Sequence, residues 1–153
     1  MKFMSEQTRT KLLGDFGEYV VAWYLRSRYG VDAHIVKSEG IDILATGNAK
    51  PFFDNRAIVA ISVKTRQRSS KGFKESVNAD WNKIRKKARK WNAVPFIAYL
   101  RIAPDKGKIT CYLTPVEKAI TYSKGDVFNV NRAEKDRGNI LFEMNFVPYR
   151  KIS

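Results

Sequence analysis

The sequence predicts an α/β fold, with helices packed on a β-sheet in the order helix, three strands, helix, strand. Three observations carry that reading: a long opening segment with helical spacing, three short segments of strand character, and a strongly basic helical segment followed by two further strands. The chain has 153 residues, 44% of them hydrophobic, which is enough for one core and too few for two.

From about Ser5 to Tyr29, apolar residues recur at Leu13, Phe16, Val20, Trp23 and Tyr24, a helical period. Ser5 is placed to cap the start and Gly30 to end the helix. Three strands follow, at Ala33 to Lys37, Ile41 to Thr46 and Ala57 to Thr65, the last rich in β-branched residues. Gly40 separates the first two. The turn-forming run Gly47-Asn48-Ala49-Lys50-Pro51, with Asp54-Asn55 after it, joins the second and third as antiparallel neighbours. A basic helix, about Asn78 to Trp91, comes next. Strands at Pro95 to Ile102 and Lys108 to Leu113 flank a turn at Pro104-Asp105-Lys106-Gly107, and a short helix is expected from Pro115 to about Tyr122. After a polar stretch whose structure the pattern leaves open, Ile140 to Phe146 reads as a last strand.

Charge narrows the function. Twenty-nine Lys and Arg against fifteen Asp and Glu give a net charge of +14, which points to a polyanionic partner. Residues 64 to 90 hold eleven of the basic residues and only two acids, Glu75 and Asp80. A membrane surface is not the expected partner, because between Lys83 and Lys90 only Ile84 and Ala88 are available for an apolar face. A single cysteine, Cys111, cannot form an internal disulfide and reads as a small buried hydrophobe in a strand. With no signal-peptide or membrane-spanning pattern at the start, an intracellular, cytoplasmic protein is expected. Neither a P-loop, a dinucleotide glycine fingerprint nor a zinc-ligand spacing is present in the sequence.

Three motifs stand at defined places in this plan: Gly14-Asp15-Phe16-Gly17-Glu18 in the opening helix, Gly40-Ile41-Asp42-Ile43-Leu44 in the second strand, and Ile61-Ser62-Val63-Lys64 in the third. Over roughly residues 10 to 100 the chain resembles the PD-(D/E)XK nuclease superfamily, in particular its archaeal Holliday-junction-resolvase-like and Mrr-like branches. The resemblance implies a restriction-endonuclease-like core, a central mixed β-sheet flanked by helices in α-β-β-β-α-β order. It implies one nuclease-like domain over residues 1–153, with its core at about 10–114 and residues 115–153 as an extension packed on it. It also implies catalytic roles for Glu18, Asp42, Ser62 and Lys64: Glu18 and Asp42 as ligands of a divalent cation, Mg2+ with Mn2+ able to substitute, and Lys64 positioning or activating the attacking water. The Val63 backbone carbonyl would complete the coordination shell. Two positions depart from the pattern. Ile41 replaces the nominal proline, and Ser62 occupies the place of the usual Asp or Glu.

The residues support this chemistry without the family name. Phosphodiester hydrolysis needs a hard cation, an activated water and a positive group near the developing charge. Magnesium keeps several waters, so two carboxylates and a substrate phosphate can hold it. Strand alternation points Ser62 and Lys64 the same way, and an antiparallel neighbour brings Asp42 to them. Glu18 falls on a helical stripe with Val21, Ala22 and Leu25, where an acid wants a partner. Gly14 and Gly17 suggest close packing of helix on sheet.

The expected activity is a metal-dependent DNA endonuclease, structure-specific (junction) or site-specific (homing or restriction type). Arg66, Arg68, Lys71, Lys83, Arg85, Lys86, Lys87, Arg89 and Lys90 are the expected nucleic-acid contacts. Ser62 separates this from a second reading, a non-catalytic DNA-binding protein with a decayed nuclease core. Charge alone would also suit an RNA-binding protein, but the acid and lysine motifs would then be coincidences. Cutting two strands needs two sites, so a homodimer or higher homo-oligomer is an open expectation. Trp81 and Trp91, flanking the basic helix, read as anchors to the sheet, Thr65 and Gln67 as polar loop residues, and His34 has no assigned role.

Overall fold

The computed structural model describes residues 5–68 and 75–146. Helix α1 (Glu6–Tyr29) starts where the Ser5 hydroxyl accepts the Thr8 amide at 3.1 Å. It ends at Gly30, whose left-handed φ of 66° lets its amide reach the Arg26 carbonyl at 3.0 Å while Val31 reaches back to Leu25. Strands β1 (Asp32–Ser38), β2 (Ile41–Thr46) and β3 (Ile58–Gln67) are antiparallel neighbours, as the turn chemistry predicts. The third strand, expected to end at Thr65, continues through Gln67, which was expected in a loop, because the ladder with the next central strand extends that far.

After the short β4 (Ser76–Asn78), helix α2 (Trp81–Lys90) crosses over to β5 (Ala93–Ala103), which pairs with β3 in parallel. Parallel pairing requires such a crossover. The helix starts three residues later than the basic pattern predicts, since Asn78 lies in β4 and Asp80 accepts the Lys83 amide as the cap. Strand β6 (Lys108–Pro115) and helix α3 (Val116–Thr121) follow. The stretch left open by the pattern forms β7 (Ser123–Lys124), β8 (Val127–Asn129) and helix α4 (Val130–Glu134), after which β9 (Ile140–Asn145) closes the large sheet beside β6. The six-stranded sheet runs β1-β2-β3-β5-β6-β9, and β4-β8-β7 form a second, small one. This is the mixed-sheet α/β plan flanked by helices that the sequence predicts.

Alternation along β3 separates two cores. Val59 and Ile61 pack with Val21, Ala22 and Leu25 of α1 on one face. Ala60 packs on the other face with Ile84 and Ala88 of α2 and with Val116, Phe128 and Val130. The small sheet is pinned to the large one by Arg101 of β5, whose Nε donates to Glu75 at 2.7 Å and whose Nη1 donates to Glu134 at 3.1 Å. Both Arg101 and Glu75 are largely buried, so each needs the other's charge. Cys111 is fully buried, as expected of a core residue.

Two helix expectations need correction. Phe16 and Trp23 carry the helical period but are about half exposed; the face of α1 on the sheet is Gly17, Val21, Ala22 and Leu25. Trp91 is likewise exposed, while Trp81 does anchor α2, edge-on to Phe128 and donating to the Gly125 carbonyl at 3.1 Å. No helix among the described residues is long and apolar enough to cross a membrane.

Candidate active site

The β2–β3 ladder runs from Ala45↔Val59 to Ile43↔Ile61. One step beyond, Asp42 Oδ2 accepts the Val63 amide at 2.7 Å, so a side-chain carboxylate takes the place of a backbone partner. A strand residue's amide and carbonyl point to the same side, so the Val63 carbonyl faces the side on which Asp42 lies. Glu18 arrives from α1. It can do so because Gly17 lets the helix lie directly on β3: a Cβ there would stand 1.8 Å from the Thr65 hydroxyl oxygen. Gly14, the other glycine of that motif, meets open space, so close packing is the work of Gly17 alone.

The two carboxyl groups meet. Burial first, and the neighbouring Asp42 carboxylate second, raise the Glu18 pKa from 4.5 to about 7 against the opposing charge of Lys37. Glu18 Oε2 is buried without a hydrogen-bond partner. Lys37, at the far end of β1, is itself held by Asp15 of α1 at 3.3 Å. Sequence reasoning missed Lys37, since a lone strand lysine gives no signal.

Lys64 is half-buried on the α2 face, level with Tyr99 of β5. Desolvation lowers its pKa, Asp42 opposes that, and the neighbouring charges of Arg66 and Lys83 add to it. Asp42 is thus the group felt both by Glu18 from the α1 side and by Lys64 from the α2 side. Ser62, 3% exposed, shares the face of Ala60 and Lys64 and brings no charge.

An orphaned buried carboxylate oxygen beside a second carboxylate is a donor set suited to a divalent cation, with the Val63 carbonyl on the same side. All three are oxygens, which favours magnesium or manganese over zinc. Among the described residues no group of three or more His, Cys, Asp and Glu side chains is brought together, so a cation here would keep several of its waters.

The basic residues divide. Lys86, Arg89 and Lys90 are exposed on α2, and Arg85 is half-buried. Lys83 and Lys87 turn toward the β1–β2 connection, where Glu39 takes Lys83 at 2.7 Å and Lys87 at 4.0 Å. An open groove of about 480 Å3 runs between Glu39 and these lysines. Glu39 was not singled out by the sequence, because its distance from α2 along the chain hides the contact. Arg66 donates to the Thr65 carbonyl at 2.8 Å, Arg68 is exposed, and Lys71 lies outside the described residues. His34 is exposed on β1, 2.8 Å from Asp32.

No family model matches the chain, and no curated protein does. Among solved structures, it is similar to Hjc, a Holliday junction resolvase of Archaeoglobus fulgidus, at 22% identity and a TM-score of 0.49, over 75% of this chain and 85% of that one. Likeness at that level assigns no function.

Proposed function

We propose that the chain is a metal-dependent nuclease that hydrolyses phosphodiester bonds in DNA. The observation that supports it best is the Glu18–Asp42 pair, two carboxyl groups drawn together where one buried oxygen has no partner. Without function, such a pair only costs stability. Glu18, Asp42 and the Val63 carbonyl would hold magnesium, which supplies Lewis acidity toward a phosphate oxygen. Asp42, fixed by the Val63 amide, orients that site. Lys64 would hold the attacking water and offset the charge that builds on the phosphate; its lowered pKa brings it closer to exchanging a proton. The exposed lysines of α2 would bind the flanking phosphates.

A second reading, a DNA-binding protein that keeps this core without turnover, is favoured by one observation: buried Ser62 contributes no third carboxylate. Asp42→Asn separates the two. It keeps the acceptor for Val63 and removes the charge, so cleavage of linear, branched or single-stranded DNA in magnesium should be lost while binding holds or tightens. Lys64→Ala should also abolish turnover but weaken binding slightly. If the wild type cleaves none of these with magnesium or manganese, and Asp42→Asn binds as the wild type does with or without metal, the binder reading replaces the nuclease.

A further inference from the structure

Leu12, Phe16, Tyr19 and Trp23 are 53%, 43%, 62% and 56% exposed. At 3.6 residues per turn they fall within a stripe roughly 60° wide and about 16 Å long on α1. The stripe lies nearly opposite Val21 and Leu25, which face the core. This helix therefore has two apolar faces, and no other element among the described residues is packed on the outer one.

We infer that the stripe is the interface of a homodimer in which α1 of one copy packs antiparallel on α1 of another. Its spacing, four, three and four residues, is the same read in either direction, and it is the alternation of a coiled-coil seam. A two-fold axis between Gly17 and Glu18 sets Leu12 of one copy against Trp23 of the other, and Phe16 against Tyr19. Every large side chain of the stripe then meets a large apolar one, as an isologous contact requires. Three aromatics and a leucine, each about half exposed at roughly 200 Å2 apiece, leave on the order of 400 Å2 per copy. With the flanking side chains, two copies approach the roughly 1,000 Å2 that a specific interface needs, and an apolar patch of this size on a monomer is often functional.

Placement also selects the occupant. The stripe is on the α1 face, and the lysines of α2 are on the opposite face of the sheet. Nucleic acid bound by those lysines would not reach it, whereas a dimer through α1 leaves both basic surfaces free. The two copies each carry +14, so they repel, and salt should strengthen their association, the reverse of its effect on DNA binding. The inference does not depend on the nuclease reading.

Sedimentation equilibrium of the full chain tests it. The mass should approach twice 17.6 kDa within the range of about 1 to 100 μM, at lower concentration as salt is raised. Tyr19→Lys, at the most exposed position of the stripe, should weaken association by about a hundredfold or more while leaving the melting temperature of the monomer within a few degrees. Because Cys111 is buried, introduced thiols report geometry: a mixture of Leu12→Cys and Trp23→Cys chains should form mainly mixed disulfides. A wild type that stays monomeric throughout overturns the inference and leaves the stripe to another occupant, such as a segment of the same chain. An unchanged mass for Tyr19→Lys, or disulfides chiefly between like variants, overturns it equally.

Discussion

Replacing Glu18 by Gln should make the metal-free protein more stable at pH 8 and leave it nearly unchanged at pH 4.5. Glutamine has the shape and neutrality of the protonated acid, and its amide can donate to Asp42 as the acid's proton would. The wild-type pKa rises from 4.5 to about 7. A shift of that size corresponds to ~3 kcal/mol, and the part-exposed position of Glu18 reduces it to ~2 kcal/mol through solvent screening. A carboxyl whose folded pKa is raised contributes its stability in full below the unfolded value of 4.5, and that contribution is lost as pH rises through about 7. The difference between Glu18→Gln and wild type should therefore open between those values and level off above them. In melting temperature it amounts to roughly 4 to 8 °C. Magnesium should close the gap from the other side: at ten times its dissociation constant it adds ~1.5 kcal/mol to the wild type and less to the variant. Urea unfolding from pH 4.5 to 8.5, with and without magnesium, measures all of this. A variant that is less stable than wild type by the same margin at every pH would refute the reasoning, for Glu18 would then be an ordinary helix acid.

Two further outcomes follow from the geometry. Gly17→Ala puts a methyl group 1.8 Å from the Thr65 hydroxyl and should cost ~1–3 kcal/mol in urea unfolding, whereas Gly14→Ala enters open space and should gain ~0.5–1 kcal/mol from helix propensity. Glu39→Gln releases Lys83 and Lys87, so fluorescence-anisotropy titrations should show tighter DNA binding and a salt slope steeper by up to about two, from roughly −3.5 toward −5.5. An unchanged slope would mean that these two lysines do not meet phosphate.

Local chemistry was enough for much of this protein. Caps, turns and periodicities are interactions among neighbours in the chain, so Ser5, Gly30, the strand alternation of Ser62 and Lys64 and the stripe of Glu18 with Val21, Ala22 and Leu25 were all legible in the sequence. Periodicity shows that a residue lies on a face, but not which face meets the sheet. Only the tertiary structure decided that Val21 and Leu25 go inward while Phe16 and Trp23 stay outside, and that Gly17 makes the close contact while Gly14 does not. The same holds for contacts between residues far apart in the chain. The Glu39 bridge to α2, Lys37 beside the carboxyl pair and the Arg101–Glu75–Glu134 cluster under the small sheet depend on how strands and helices meet in space. Charges become partners, and a pKa near 7 becomes possible for Glu18, only when burial removes the water that would otherwise screen them.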